Sequence, residues 1–195
     1  MKTKKLLLVG RRKEALDRLV MGLTWEGYTV EGTVNVEEVL TNYVPSQYDL
    51  VAFGAGVGQK NKQLLKNFFN LNNPNILLLD CPLPVFSLIM DQIKYAFDNQ
   101  WTKEEFIEEF SYEINTGVQV TFCLKKECNI TIRFYQFNHL NGDEHITNIL
   151  TGFLKEGEHH YSLPSEGWVE NGRNVLGVQA GSQLALFPIE KVIEN

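Results

Sequence analysis

Two hydrophobic patterns divide the chain. In the first half, residues 5–10, 49–53 and 75–80 each contain four consecutive apolar residues, at 6–9, 50–53 and 76–79. Continuous apolar runs of this length predict strands that are buried on both faces of a parallel sheet. Segments with apolar residues at helical spacing alternate with these strands. The order of elements therefore predicts a doubly wound α/β fold, with its ligand crevice at the carboxyl ends of the strands.

The helices of this half are predicted over residues 13–26, 36–42 and 60–71, and an alternating strand over 28–34 is predicted near a sheet edge. No convincing fifth strand is predicted before the helix that begins near Val85. After Pro82-Leu83-Pro84, an apolar stripe predicts a helix from Val85 to Phe97. Thr102 and Glu105 then form a capping box, which predicts a second helix that ends at residue 114.

The second half changes to a period of two, which is typical of strands with one buried face. Turn signals separate the strands at Asn141-Gly142 and Asn171-Gly172, and residues 125–127 are interpreted as a hairpin tip. This pattern predicts a small β-sandwich of immunoglobulin type. The strands are predicted over residues 118–122, 130–134, 145–150, 159–163, 174–179 and 183–188.

The predicted organisation is an α/β domain over residues 1–98, a linking helix over 99–116 and a β-sandwich domain over 117–195. The switch of period near residues 115–117 predicts separate cores, so a fragment that starts near Asn115 is expected to fold alone.

Composition and charge limit the classes of function that the chain can have. The 195 residues are 44% hydrophobic and 22% charged, which is typical of a folded globular protein. A net charge of -6 argues against nucleic acid as the principal partner. No apolar run is long enough for a signal-peptide core or a membrane span, and the three cysteines do not form a disulfide framework. The expected location is the cytoplasm, with no membrane partner.

The first half, over residues 4–81, resembles the receiver domains of two-component response regulators, with Tyr48-Asp49-Leu50-Val51 in place of their third strand. The resemblance implies an acidic pair after the first strand and a phosphoacceptor aspartate at the end of the third. Here those positions hold Gly10, Arg11 and Arg12, and Gly54. Asp80 stands where the family has a hydroxyl residue.

Phosphorylation onto aspartate needs both a magnesium ion and an acceptor carboxylate. With two cations in place of the anions and Gly54 in place of the acceptor, this chemistry is excluded. The resemblance therefore implies a pseudo-receiver with a signalling role, without catalytic residues or a cofactor.

An alternative reading treats the glycine-rich loop as an anion or nucleotide site, with enzymatic activity left open. Helix N-termini and guanidinium groups both favour anions. The spacing of the loop fits neither the dinucleotide fingerprint nor the P-loop. Solvated charges at helix starts are the simpler interpretation. The residues of the alternative site are Gly10, Arg11, Arg12, Gly54, Gly56, Gly58 and Lys60.

The second half resembles the immunoglobulin-like fold of flagellar hook-capping proteins and the sorting domains of the type IX secretion system. The resemblance is carried by residues 129–135, Asn141-Gly142, residues 152–159 and Asn171-Gly172. It implies a protein-binding or spacer module. The secretion role is not expected, because no signal peptide is predicted.

Other candidate chemistry in the second half is sparse. His159 and His160 are adjacent on a predicted strand, so their imidazoles point to opposite faces and do not readily serve one metal. Cys123 and Cys128 are predicted to face each other across the hairpin tip as reduced thiols. The glutamates around residues 104–113 are interpreted as a solvated helix face, and no metal site is predicted.

The leading hypothesis is a non-enzymatic regulatory or scaffolding protein, a pseudo-receiver joined to a protein-interaction β-sandwich. Its protein partner is not identified by the sequence. A homodimer is also predicted through whichever side of the helix from Val85 to Phe97 remains exposed. The interface residues of this hypothesis are Phe86, Ile89, Met90 and Ile93.

Overall fold

The computed structural model describes residues 3–81, 85–98, 106–114, 117–138, 143–163, 172–181 and 183–189. The chain divides into two compact units, Met1–Ala96 and Phe97–Asn195. Unit 1 contains helices and a parallel sheet, whereas the described part of unit 2 contains antiparallel sheets. The predicted class, α/β followed by β, agrees with this arrangement.

The strands and helices of the first half closely follow the predicted ones. They are β1 (Lys5–Val9), α1 (Lys13–Trp25), β2 (Thr29–Thr33), α2 (Val36–Asn42), a 3₁₀ turn (Pro45–Gln47), β3 (Leu50–Gly54), α3 (Gln59–Asn72), β4 (Leu77–Cys81) and α4 (Phe86–Asp98). The strands form one parallel sheet in the order β2-β1-β3-β4. The alternating strand β2 lies at an edge, as predicted.

Both faces of the sheet are covered. Leu7, Val9, Val51 and Phe53 share one hydrophobic cluster with residues of α2 and α3. On the opposite face, α1 lies against β2, where Leu16 and Val20 would be only 3.0 Å from a Cβ atom on Gly32. This two-sided cover explains why Leu6–Val9 of β1 and Leu50–Phe53 of β3 are apolar at every position.

Helix α4 packs beside α1. A Cβ atom on Gly22 of α1 would lie 2.7 Å from the ring of Phe86, so the absence of a side chain at Gly22 lets the two helices approach. Lys94 of α4 also pairs with Glu26, with 2.9 Å between Nζ and Oε2. Among the described residues of unit 1, no fifth strand follows β4.

The described part of unit 2 consists of two antiparallel sheets that share one core. Its strands are β5 (Ile107–Ile114), β6 (Val118–Leu124), β7 (Cys128–Asn138), β8 (Glu144–Leu154), β9 (Gly157–Leu163), β10 (Gly172–Ala180) and β11 (Gln183–Ile189). One sheet has the order β11-β10-β7-β8 and the other β5-β6-β9. Val120 and Phe122 from one sheet and Ile132 and Leu176 from the other belong to the same hydrophobic cluster. The two sheets therefore form a sandwich.

The predicted linking helix over 99–116 is wrong where the structure can be compared, because residues 107–114 form strand β5. A β-bulge shifts the register between Ile107 and Glu109. Ile107 and Phe110 are three residues apart in the sequence, and the bulge lets both side chains face the same side of the strand. This spacing of apolar residues imitates that of a helix. The capping box at Thr102 and Glu105 lies outside the described residues. A fragment that starts at Asn115 would lack β5.

The predicted hairpin tip at residues 125–127 is also wrong. Strands β6 and β7 on either side of it belong to different sheets, so the segment crosses from one sheet to the other. A short polar connection between two alternating strands has the same sequence pattern in both cases. Consequently Cys123 and Cys128 do not face each other across a hairpin.

The proposed interface helix α4 is largely covered within the single chain. Ile89, Met90 and Ile93 are 6%, 8% and 0% exposed, and Phe86 is half-buried. These side chains therefore do not provide the exposed apolar face on which the interface hypothesis depended. The homodimer remains a prediction, but helix α4 does not supply the exposed apolar surface that was expected for it.

Burial of Met90 generates a test. Met90→Lys is expected to lower the free energy of unfolding by about 2–4 kcal/mol, because it places an unpaired ammonium group in a buried position. Met21→Lys, at a position that is 53% exposed on α1, is the matched control and should change stability by less than about 0.5 kcal/mol. Urea denaturation measures both. A stable Met90→Lys protein with altered mass in solution would restore the interface hypothesis.

Candidate functional site

The ends of β1, β3 and β4 meet at the carboxyl edge of the parallel sheet. Gly54, the last residue of β3, is in register with Cys81 of β4. A Cβ atom on Gly54 would lie 3.4 Å from the carbonyl oxygen of Val9 and 3.7 Å from Cα of Gly10. This edge is where doubly wound sheets place their ligand crevice.

The side chain of Arg11 lies across the glycine-rich loop. A Cβ atom on Gly56 would be 3.0–3.1 Å from three aliphatic carbons of Arg11. The amide of Val57 donates to the carbonyl oxygen of Gly54 at 3.1 Å, and the Val57 side chain is buried. The loop is therefore a tight turn whose outer surface Arg11 already contacts.

The structure brings together part of the predicted anion site. Gly10, Arg11, Gly54 and Gly56 are neighbours at this edge. Arg12 and Gly58 are the N-cap residues of α1 and α3, neither with a side-chain cap, and Lys60 is exposed in the first turn of α3. The atoms nearest to a Cβ atom on Gly54 or Gly56 belong to Val9, Gly10 and Arg11, and not to Arg12 or Lys60.

The strongest electrostatic interaction at the edge joins Asp80 to two lysines of α3. Lys66 Nζ lies 2.5 Å from Asp80 Oδ2, and Lys62 Nζ lies 3.6 Å from Oδ1. Lys62 is only 8% exposed, whereas the Asp80 side chain is 42% exposed. Because a buried ammonium group needs a counter-charge, Asp80 stabilises the position of Lys62.

The ion pairs of Asp80 were not predicted from the sequence, although the spacing of the two lysines indicates them. Lys62 and Lys66 are four residues apart on a predicted helix and so lie on one face of it. That helix follows β3 and precedes β4, at whose end Asp80 stands. A helix face that carries two lysines next to a strand-terminal carboxylate indicates an ion-pair cluster.

Cys81 follows Asp80 and is 1% exposed. Burial raises the pKa of its thiol to about 12; the positive charge of Lys62 works against this shift and the negative charge of Asp80 adds to it. The thiol is therefore neutral at physiological pH. A neutral, buried thiol is a poor nucleophile and a poor metal ligand.

Gln92 of α4 reaches the outer edge of β4. Its Nε2 lies 3.5 Å from the carbonyl oxygen of Asp80, at the limit of a hydrogen bond. Gln92 is 8% exposed, and its buried Oε1 atom has no hydrogen-bond partner among the described residues. The same is true of Asp80 Oδ1, whose ion pair with Lys62 at 3.6 Å is longer than a hydrogen bond. The carboxamide occupies part of the place that a further strand would take beside β4.

A second polar cluster lies on the outer face of the β5-β6-β9 sheet. His160 contacts Thr121 Oγ1 through Nδ1 at 2.9 Å and Glu158 Oε1 through Nε2 at 2.9 Å. His159 faces the other way, with its ring 5.6 Å from that of the buried Phe122. His160 and Glu158 are both more than 60% exposed, so this chain of hydrogen bonds is open to water.

The chemistry of both clusters is limited. In the part of the chain that the structure describes, no group of three or more His, Cys, Asp or Glu residues is placed to hold a metal ion. Cys81, Cys123 and Cys128 are free thiols. At the carboxyl edge, one carboxylate is already bound by two ammonium groups. This arrangement keeps a net positive charge and leaves no carboxylate pair for magnesium among the described residues.

Comparisons with known proteins identify no family. No protein-family model and no curated protein matches the chain. Among solved structures, similarity is found to a β-glucosidase from Listeria innocua in complex with gluconolactone, with 12% identity and a TM-score of 0.32 over 96% of this chain and 46% of that one. An NAD kinase from Archaeoglobus fulgidus in complex with ATP has 11% identity and a TM-score of 0.33 over 95% and 76%.

The chain spans less than half the length of that β-glucosidase and of a second one from Erythrobacter marinus, which has 10% identity and a TM-score of 0.34 over 96% of this chain and 46% of that one. Similarity at this level carries no argument about function. Within the described residues, no helix combines the length and apolar content needed to cross a membrane.

The role of Asp80 can be tested by removing its charge. Asp80→Asn is expected to lower the free energy of unfolding by about 1–3 kcal/mol, because buried Lys62 loses its counter-charge. Asp17→Asn is the matched control: Asp17 pairs with Lys13 at 3.0 Å on the exposed side of α1, and its loss should cost less than about 0.5 kcal/mol. Equal effects in urea denaturation would contradict a structural role for Asp80.

Because the Cys81 thiol is buried, we expect the protein to lose stability in alkali. Its pKa is about 12 in the folded chain and 9.0 in the absence of burial. Between these values the unfolded chain releases a proton that the folded chain retains, so stability falls as pH rises, by up to about 1.4 kcal/mol per pH unit. Urea denaturation of wild type and Cys81→Ala at a series of pH values measures this slope. Parallel curves for the two proteins would refute the assignment.

Proposed function

We propose that this chain is a non-enzymatic regulatory or scaffolding protein, in which unit 1 is a receiver-like domain that cannot be phosphorylated and unit 2 is a protein-interaction module. The observation that carries the proposal is the engagement of Asp80 by Lys62 and Lys66 at the carboxyl edge. The carboxylate at the expected reaction edge is the counter-ion of two ammonium groups, and their positive charge disfavours a magnesium ion beside it.

The other residues at this edge support the same interpretation. Gly54 ends β3 where a receiver would place its acceptor, and it lies beside the end of β1 and in register with Cys81 of β4. Gly10, Arg11 and Arg12 follow β1, where two carboxylates would be required. A phosphoryl transfer onto this edge would therefore have neither an acceptor at the usual position nor a metal site to support it.

The strand arrangement of unit 2 supports an immunoglobulin-like interaction module. Its strands divide into sheets of four and three, as expected for this class of sandwich. The fourth strand, β8, pairs with the third, β7, whereas constant-type immunoglobulin domains place the fourth strand in the other sheet. The module proposed here is a variant in which this strand has changed sheets.

The alternative of an anion or nucleotide site at Gly54–Gly58 remains a prediction and has less support. The side chain of Arg11 contacts Gly56, and the amide of Val57 is already bonded to Gly54. A phosphate cradle needs free backbone amides that point into an open concavity. The loop would have to release both interactions before it could bind an anion in this way.

The proposal is tested with a small acyl phosphodonor and magnesium on the full chain, read out by intact mass. Wild type is expected to gain no phosphoryl group, while an active receiver in a parallel reaction does. Asp80→Asn serves as the matched variant. A phosphoryl adduct on wild type that is absent from Asp80→Asn would make Asp80 an acceptor and overturn the proposal.

A further inference from the structure

Charge is unevenly divided between the two units. Unit 1 contains 11 Lys and Arg residues against 9 Asp and Glu, whereas unit 2 contains 7 against 15. The formal charges are therefore +2 and -8, which add to the -6 of the whole chain. At low ionic strength, surfaces of opposite sign attract each other and bring molecules together in a preferred orientation.

An apolar surface that carries one arginine is exposed on α1. Arg18, Met21 and Trp25 are spaced by three and four residues and so share one side of the helix, which we call the α1 face. Met21 is 53% exposed and Trp25 is 83% exposed. Arg18 is exposed and makes no ion pair within the described residues. Tryptophan, methionine and arginine are enriched at protein interfaces.

The outer face of the β5-β6-β9 sheet has the opposite charge. These three strands contain four glutamates and no lysine or arginine. Glu109, Cys123 and Glu158 are in register across the sheet, as are Ser111, Thr121 and His160. We call this surface, with its exposed Glu109 and Glu158, the acidic sheet face.

A groove opens in the acidic sheet face. It has a volume of about 330 Å³ and is lined by Glu109, Phe110, Ser111, Thr121, Phe122, Cys123 and Glu158. The volume is at the lower end of the range for cavities that accept a small molecule, and it can admit a single aromatic side chain. Two carboxylates at its border would attract a guanidinium group beside that side chain.

We propose that the α1 face of one molecule docks on the acidic sheet face of a second copy of this chain. Trp25 enters the groove, and Arg18 pairs with the carboxylates of Glu109 and Glu158. Because the two surfaces differ, the contact is heterologous and joins molecules head to tail. The proposal does not depend on the phosphorylation chemistry of unit 1, so it and the proposed function can fail separately.

The test is sedimentation equilibrium of the full chain over a range of concentrations at low and high salt. Wild type is expected to gain average mass with concentration, and to do so less at high salt because the ion pairs are screened. Trp25→Ala, Arg18→Glu and Glu158→Lys should each weaken association about tenfold or more. All three residues are exposed, so the thermal melts should remain close to that of wild type.

Two control variants separate this contact from general attraction. Leu71→Ala removes another side chain that is 83% exposed, on α3, and Glu127→Lys makes the same charge change as Glu158→Lys at an exposed loop position of unit 2. Neither should change association. The double variant Arg18→Glu with Glu158→Lys reverses both partners, so it should recover association that each single variant loses.

Four results would overturn the proposal. They are a wild type that stays monomeric at every concentration, association that survives both Trp25→Ala and Glu158→Lys, an equal loss with Glu127→Lys, and a double variant that recovers nothing. The second result would indicate that copies associate through other surfaces. The first would leave the two faces for different partners, an acidic protein at α1 or a basic one at the sheet.

Discussion

The fold of unit 1 depends on the burial of both faces of β1 and β3. Their side chains from Leu6 to Val9 and from Leu50 to Phe53 are at most 4% exposed, so helices are needed on both sides of the sheet. Helix α1 takes one side, and α2 and α3 take the other. Because each helix starts where a strand ends, this constraint brings Arg11, the glycine loop and Lys62 to one edge.

The same constraint explains why Asp80 has a structural role. Lys62 lies in the first turn and a half of α3, on the side of the helix that faces the sheet, where its ammonium group is almost fully enclosed. A charge in such a position is tolerated only with a partner. Asp80 at the end of β4 is that partner, and Lys66 one helical turn later adds a second positive charge. The three side chains thereby hold the end of β4 and the start of α3 together.

Most of this architecture could be predicted from the residues because the apolar runs and helical stripes of unit 1 are strong and local. Three features were not accessible in this way. The bulge in β5 imitates helical spacing, and the connection between β6 and β7 has the composition of a hairpin although it changes sheets. An apolar stripe also does not reveal how many sides of a helix are covered. Thus Met90 of α4 is buried, whereas Trp25 of α1 is exposed.

The acidic residues of β5 have a further physical consequence for unit 2. Strand β5 lies at the edge of its sheet, and an unpaired strand edge is a template for pairing with other chains. Glu108, Glu109 and Glu113 and the bulge between Ile107 and Glu109 all oppose such pairing, since like charges repel and a bulge interrupts the ladder. The backbone edge is thus protected, while the face beside it keeps its negative charge. The β5 edge therefore rejects other strands, while the neighbouring face remains open to side chains of opposite charge.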